Sequence, residues 1–261
     1  MADKFAIITG ASTGIGFDLA SIAAREGHDI LVVANEPLID AAAADFKQFG
    51  TEVRSVEADL STFDGVDRLL AAAEGRRVDV LCANAGHGLG GAFIDQDPTR
   101  WRHVVDTNVT GTVYLLQRVL KEMVARNGGR VLVTGSIAGY LPGSFQAVYN
   151  GTKAFIDSFV AAIQDELKDS GGVTITNLMP GATDTEFFDR ADMLDTSVGT
   201  QKKDDPEKVA QDGWDAMMAG KKQIVSGWHN KLQTVMANVL PNAVLAGQHR
   251  NMAEPGSGKD G

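Results

Sequence analysis

Short apolar runs alternate with amphipathic stretches along the first two thirds of the chain. The apolar runs are continuous, and they cover residues 5–8, 30–34, 53–56, 78–82, 130–134 and 173–178. Strands of a parallel sheet have this pattern because helices cover both of their faces. We therefore predict six such strands, followed by a last strand over residues 223–226.

The stretches between the runs predict helices. Ile15, Leu19, Ile22 and Ala23 recur at a helical spacing in the first of them. Longer helices are predicted over 98–126 and 143–168, and Ser61-Thr-Phe-Asp64 predicts a capping box at the start of the helix after the third strand. The alternation of strands and helices predicts an α/β fold with a doubly wound parallel sheet in three layers.

The pattern changes after Gly181. Residues 183–194 are a mixed segment with few signals of regular structure, and we expect a lid near residues 183–200, which we call the lid segment, to close over the substrate. The alternative is a fixed helix packed on the core. A helix is predicted from Pro206, and two helices are predicted within 231–252. We place a single domain over residues 1–254 and a flexible tail over 255–261, since the tail is rich in glycine and polar residues.

Composition narrows the function classes. The chain has 261 residues and a formal net charge of −10, which argues against nucleic-acid binding. The single cysteine, Cys82, cannot form an internal disulfide and is typical of a reducing compartment. The first strand begins too early to leave room for a signal peptide, and no apolar run has the length of a membrane span. We therefore expect a cytoplasmic protein that binds no membrane.

Two local motifs indicate a site for hydride and proton transfer. Gly10, Gly14 and Gly16 form a glycine-rich turn between the first strand and the first helix, and such a turn lets a backbone approach a pyrophosphate. Tyr149 and Lys153 are four residues apart, so they share one face of a helix. With a serine after the fifth strand, these groups indicate hydride and proton transfer at a carbonyl carbon.

The chain resembles the short-chain dehydrogenase/reductase superfamily over essentially its whole length. The spacing Gly-x-x-x-Gly-x-Gly is similar to that of the compact single-domain branch. Further marks of the resemblance are Asp59-Leu60, Asn84-Ala85-Gly86, Asn108, Gly135-Ser136, Tyr149-x-x-x-Lys153 and Pro180-Gly181-x-x-x-Thr185. The chain departs from the family pattern at Ala83, where a second Asn is common. The resemblance implies a Rossmann-like fold and an NAD(P)-dependent oxidoreductase acting on a carbonyl or secondary alcohol, and we expect a homodimer or homotetramer.

The resemblance also implies catalytic roles. Tyr149 would be the general acid or base, and Ser136 would donate a hydrogen bond to the substrate oxygen. A free phenol has a pKa of about 10, and the positive charge of Lys153 would bring it near neutrality. Lys153 would also bind the nicotinamide ribose. Asn108 would hold a water against Lys153, or serve as a buried amide at a helix irregularity, and both roles are compatible.

The cofactor contacts implied by the resemblance extend along the chain. They are Gly10, Ser12, Thr13, Gly14, Ile15, Gly16, Asn35, Asp59, Leu60, Asn84, Ala85, Gly86, Tyr149, Lys153, Pro180, Gly181, Thr183 and Thr185. Ala34 stands where NAD enzymes usually have Asp, and Asn35 stands where NADP enzymes often have Arg. Without an acid at position 34, the site has room for the 2′-phosphate of NADP. Glu36 would repel that phosphate, and on balance NADP is slightly favoured.

Other interpretations stay open. A nucleotide-binding regulatory protein on this fold would usually lack the Tyr or the Lys, and an enoyl reductase usually has a longer spacing between them. The histidines have no ligand spacing, so we expect no metal site. His87 follows Gly86 and lies either at a pocket mouth or on a loop surface. Four apolar residues that flank the catalytic segments fit a substrate pocket and simple packing about equally: Leu141, Phe145, Phe187 and Phe188.

Overall fold

A seven-stranded parallel sheet lies at the centre of the computed structural model, which describes residues 4–237 and 239–258. The strands are β1 (Phe5–Thr9), β2 (Asp29–Ala34), β3 (Val53–Glu57), β4 (Val80–Ala83), β5 (Gly129–Thr134), β6 (Val173–Met179) and β7 (Gln223–Val225). Their order is β3-β2-β1-β4-β5-β6-β7, and every neighbouring pair is parallel. The order reverses between β1 and β4, which is where open parallel sheets bind ligands. The predicted doubly wound fold is confirmed.

Helices cover both faces of the sheet. They are α1 (Gly14–Arg25), α2 (Leu38–Phe46), α3 (Phe63–Ala72), α4 (Pro98–Val105), α5 (Thr112–Ala125), α6 (Ala147–Glu166), α7 (Phe187–Arg190), α8 (Ser197–Thr200), α9 (Pro206–Met218), α10 (Trp228–Ala237) and α11 (Asn242–Ala253). None of the helices in the described ranges combines the length and the apolar composition needed to cross a bilayer.

The structure corrects two helix predictions. The cap of α3 is Thr62 rather than Ser61, and its Oγ1 accepts a hydrogen bond from the backbone N–H of Gly65 at 3.0 Å. The helix predicted over 98–126 contains a π-helical segment, Asp106–Gly111, between α4 and α5. The buried residues of the π-helical segment are Thr107, Asn108 and Gly111, so the spacing of apolar residues gives no signal there.

Two hydrophobic cores explain the continuous apolar runs. On one face of the sheet, Ile8 packs in a cluster with Leu19 of α1 and Trp214 of α9. On the other face, the adjacent Ile7 packs in a cluster with Leu116 of α5. Successive residues of one strand thus enter different cores, so every position along the strand is apolar.

A third, smaller cluster joins the lid segment to the C-terminus. Phe188, Met193 and Val198 of the lid segment pack with Ala253 of α11. Arg100 of α4 pairs with Asp192 at the other side of the lid segment, at 2.5 Å. The lid segment therefore has its own apolar core and contacts separate parts of the molecule.

The chain beyond α11 makes hydrogen bonds with the lid segment. Backbone N–H groups of Gly256 and Gly258 donate to Asp195 at 2.8 Å each, and Ser257 accepts two hydrogen bonds, from the backbone N–H and from Oγ of Ser197. Composition does not show these partners because they lie about 60 positions earlier in the chain. Residues 256–258 thus have partners in the lid segment, the flexible tail over 255–261 stays a prediction, and residues 259–261 lie outside the described ranges.

Candidate active site

A cavity of about 510 Å³ opens where β1, β4, β5 and β6 end. At one end it is lined by the glycine turn and by Ala34 and Asn35, and we call this the glycine-turn end. At the other end it is lined by Ser136, Tyr149 and Lys153, and we call this the tyrosine end. The remaining predicted contacts that line it are Asn84, Ala85, Gly86, Pro180, Gly181, Thr183 and Thr185.

Close backbone packing explains the glycines of the turn. Gly10 and Gly14 have φ of +64° and +57°, a conformation that residues with a side chain rarely adopt. A Cβ on Gly16 would lie 2.0 Å from the carbonyl oxygen of Gly10, so no side chain fits there. Gly16 is buried under the turn and does not line the cavity, which makes its role one of packing.

The N-terminus of α1 is open toward the cavity. Thr13 is its N-cap residue, but the Thr13 side chain makes no capping hydrogen bond. Thr13, Gly14 and Ile15 all line the cavity. A helix N-terminus without a side-chain cap offers free N–H groups and a positive dipole end, which together fit an anion such as a pyrophosphate.

Asn84 ties three strands together. Its side-chain Nδ2 donates to the carbonyl of Thr9 at 3.2 Å, and its Oδ1 accepts from Oγ1 of Thr134 at 2.9 Å. The backbone N–H groups of Asn84 and Ala85 both donate to Oγ1 of Thr9 at 2.9 Å. The amide therefore fixes the ends of β1, β4 and β5 relative to one another, a structural role in addition to the predicted cofactor contact.

Helix α6 carries the two central groups of the tyrosine end. Tyr149 and Lys153 lie one turn apart, and Nζ of Lys153 is 5.9 Å from the centroid of the Tyr149 ring. Lys153 is 7% exposed, and its Nζ donates to the carbonyl of Thr134 at 2.7 Å. Ser136 caps the short helical turn after β5 through Oγ, which accepts from the N–H of Ala138 at 3.0 Å. The predicted catalytic hydroxyl, phenol and ammonium are thus brought together.

Burial controls the protonation of these groups. Burial raises the pKa of Tyr149 to about 12, although its hydrogen bond with Ser136 lowers the pKa in part. Burial also lowers the pKa of Lys153 to about 8. The expectation that Lys153 alone brings the phenol near neutrality is therefore wrong for the free protein. Desolvation of the phenolate outweighs the attraction of an ammonium that is held against Thr134.

A partly buried carboxyl lies behind the tyrosine end. Asp157 follows Lys153 by one turn of α6, and burial raises its pKa to about 6. Its Oδ1 accepts a hydrogen bond from Nδ2 of Asn177 at 2.9 Å. Its charge raises the pKa of both Tyr149 and Lys153. Our sequence interpretation missed Asp157, although its spacing of four residues from Lys153 was a usable signal.

Asn108 lies behind the cavity in the π-helical segment and is 3% exposed. Its Nδ2 donates to the carbonyl of His87 and to Oγ1 of Thr152, both at 2.9 Å. Its Oδ1 accepts from the N–H of His87 at 2.8 Å. Both N–H bonds of the amide are therefore used, and the side chain acts as the buried amide of the alternative interpretation.

Asp59 and Leu60 do not line the cavity. Asp59 is exposed, and its Oδ1 accepts a hydrogen bond from the N–H of Ser61 at 2.9 Å. Leu60 is buried in the core formed with α3 and α5. The two residues follow β3 at the edge of the glycine-turn end, so a contact with a bound adenine stays a prediction.

Side chains from distant segments build the wall of the tyrosine end. The ring of Phe187 lies 5.0 Å from that of Tyr149, and Leu141, Val198 and Met252 also line the cavity. We did not identify Met252 or Val198 from the sequence. No pattern marked them, because the third hydrophobic cluster brings them to the site only in the folded chain.

Two histidines line the cavity, and burial lowers the pKa of each. His249 contacts the carbonyl of Ser144 through Nδ1 at 2.8 Å and Nδ2 of Asn150 through Nε2 at 3.3 Å. Burial lowers the pKa of His87 to about 4. Across the described ranges, no three potential ligands among His, Cys, Asp and Glu gather as a metal site would require.

Comparison with known proteins identifies the family. Residues 4–196 match the model of the short chain dehydrogenase family. An uncharacterized oxidoreductase from Myxococcus xanthus is 31% identical over 97% of this chain and 98% of the relative. A short-chain dehydrogenase from Sphingobium yanoikuyae, solved in complex with NADPH, is 25% identical with a TM-score of 0.80, covering 92% of this chain and 97% of that one.

A second solved structure supports the fold alone. The short chain dehydrogenase/reductase from Burkholderia phymatum, in complex with NAD, has a TM-score of 0.81 at 24% identity and covers 89% of this chain and 92% of that one. The family model spans well over half of the chain, and the Myxococcus relative matches nearly all of it. The chain belongs to the short-chain dehydrogenase family, and it is an oxidoreductase.

Proposed function

We propose that the protein transfers a hydride between NAD(P) and a carbonyl or secondary alcohol, with Tyr149 as general acid or base. The observation that carries the proposal is the convergence of Ser136, Tyr149 and Lys153 in a cavity that also contains the open N-terminus of α1. The NADPH bound by the Sphingobium relative supports the cofactor class. The absence of an acid at Ala34 favours NADP over NAD.

The residues that line the cavity are those that would hold a dinucleotide. The first turn of α1 would bind the pyrophosphate, and Thr185 would cover it from the lid segment. Thr185 already packs so closely that a Cβ on Gly14 would be 2.7 Å from its Cγ2. Lys153 would bind the nicotinamide ribose from the buried side. When bound, the cofactor would supply or accept the hydride.

The proton comes from Tyr149. With a pKa of about 12, the phenol is protonated at neutral pH and can donate to the substrate oxygen as negative charge develops there. Ser136 donates a second hydrogen bond to the same oxygen. Oxidation of an alcohol would require the phenolate, which the positive charge of Lys153 would stabilise.

The wall of the tyrosine end selects an apolar substrate. Leu141, Phe187, Val198 and Met252 line the cavity, with Phe187 against the Tyr149 ring, and side chains of this kind favour an apolar body next to the reacting carbonyl. A regulatory protein without activity would not need the buried ammonium of Lys153, whose desolvation is costly. No observation favours that second function, and the homo-oligomer stays a prediction.

The test is dinucleotide binding followed by turnover. Titration of nicotinamide fluorescence measures the dissociation constants of NADPH and NADH, and a panel of ketones and aldehydes of increasing apolar size is then assayed with the tighter cofactor. We expect binding in the micromolar range and higher kcat/KM for larger apolar ketones. Failure to bind either dinucleotide would overturn the proposal.

A further inference from the structure

Arg190 connects the lid segment to the opposite wall of the cavity. This last residue of α7 places Nη2 at 2.9 Å from Oε1 of Glu36, which follows β2, and it also donates to Glu186 of the lid segment. The same Oε1 of Glu36 accepts a hydrogen bond from Oγ of Ser12 at 2.6 Å. One carboxylate oxygen thus joins the glycine turn, the loop after β2 and the lid segment.

The guanidinium lies at the glycine-turn end of the cavity. Arg190 lines the cavity, as do Ala34 and Asn35, and it pairs with the residue directly after Asn35. Family members that bind NADP often have an arginine at the position of Asn35. Here the sequence has none, and a cation reaches the same place from a segment 154 positions later.

Arg190 can exchange its partner Glu36 for another anion. The side chains of Arg190 and Glu36 are 34% and 29% exposed, and partly exposed pairs of this kind contribute little stability. A phosphate monoester carries a charge near −2 and offers several acceptor oxygens, which a guanidinium can bind in a bidentate manner. Ser12 would keep its hydrogen bond to Glu36 after Arg190 has left.

We propose that Arg190 recognises the 2′-phosphate of NADP by exchanging Glu36 for the phosphate, and that this contact holds the lid segment closed over the bound cofactor. The inference rests on the proposed function, because it requires a dinucleotide in the cavity. NAD has no 2′-phosphate, so with NAD the pair between Arg190 and Glu36 stays intact. Cofactor identity therefore determines how firmly the lid segment is held.

The two partners have opposite effects on NADP binding. Arg190 attracts the 2′-phosphate, so its loss weakens NADPH binding and leaves NADH binding unchanged. Glu36 repels the phosphate and competes for the guanidinium, so removal of its charge strengthens NADPH binding. This opposition of sign distinguishes phosphate recognition from a purely structural ion pair, in which both substitutions would act in the same direction.

The test measures dissociation constants of NADPH and NADH for the full chain by nicotinamide fluorescence. Arg190→Gln should weaken NADPH binding by about tenfold to hundredfold, the usual range for one charge-assisted contact, and NADH binding by less than about threefold. Glu36→Gln should strengthen NADPH binding. Arg100→Gln is the matched control, because it removes a different ion pair of the lid segment, that of Arg100 with Asp192, and Arg100 does not line the cavity.

Hydrogen exchange gives a readout that does not depend on activity. In the wild type, protection of residues 186–193 should rise more with NADPH than with NADH, and Arg190→Gln should abolish the difference. Equal weakening of both cofactors in Arg190→Gln, or no change in either, would overturn the inference while the proposed function stands. If the wild type bound neither dinucleotide, the proposed function and the inference would both fail.

Discussion

The two ends of the cavity are built in different ways. The glycine-turn end is made of backbone: Gly10 and Gly14 have positive φ, and the first turn of α1 carries no side-chain cap. The tyrosine end is made of side chains from distant segments, such as Phe187 and Met252. The glycine-turn end fits the pyrophosphate, a group that all dinucleotides share. At the tyrosine end, substitutions of side chains can change the substrate preference without altering the sheet.

This comparison of the two ends predicts that a substitution at the glycine-turn end causes the largest loss of stability and of cofactor binding. Gly16→Ala places a Cβ 2.0 Å from the carbonyl of Gly10, so the turn must shift. We expect a loss of about 1–3 kcal/mol in the free energy of unfolding, together with weaker NADPH binding. Denaturant titration and fluorescence titration measure the two effects.

Gly151→Ala is the control for that substitution. Gly151 lies on α6 between Tyr149 and Lys153, and an added Cβ there meets no atom within 4 Å. Alanine in the interior of a helix should raise stability by about 0.5–1 kcal/mol and leave NADPH binding unchanged. Equal behaviour of the two alanine variants would contradict the view that close backbone packing builds the glycine-turn end.

A substitution at the tyrosine end should affect substrate turnover rather than cofactor binding. Phe187→Ala removes the ring that lies 5.0 Å from Tyr149, and we expect kcat/KM for large apolar ketones to fall by about tenfold or more. The dissociation constant of NADPH should change little. A panel of ketones of increasing size measures the effect.

Phe188→Ala sharpens this prediction. Phe188 is 6% exposed in the third hydrophobic cluster, so its loss should lower the melting temperature as well as kcat/KM. If the Phe187 and Phe188 variants lost only stability, with an unchanged ratio of kcat/KM between large and small ketones, the lid segment would be packing and no part of the substrate pocket.

The smallest effect concerns the partly buried Asp157 behind the tyrosine end. Its charge raises the pKa of Tyr149, so Asp157→Asn should lower that pKa. Alcohol oxidation requires the phenolate, which forms as pH rises toward the pKa of Tyr149. The alkaline rise in oxidation rate should therefore move to lower pH in the variant. Asp165→Asn, on the exposed part of the same helix, should leave the pH profile unchanged.

Local patterns in the sequence predicted the strands of the sheet, the glycine turn and the shared helix face of Tyr149 and Lys153. Each of these features depends on neighbours within one turn or one strand. Long-range contacts were not predictable in this way. Arg190 meets Glu36 across 154 positions, and Ser257 meets Ser197 across 60. The expected pKa of Tyr149 was wrong for a related reason, since a spacing of residues does not show how deeply a phenol is buried.

The most direct test of the account is the Tyr149→Phe variant, studied by NADPH titration and by single-turnover hydride transfer to a ketone that the wild type reduces. The variant keeps the ring beside Phe187 and loses the hydroxyl, with its transferable proton and its hydrogen bond with Ser136. We predict an NADPH dissociation constant close to that of the wild type and a hydride transfer slower by about a hundredfold or more. Hydride transfer at a rate near that of the wild type would contradict the assignment of Tyr149 as the proton donor.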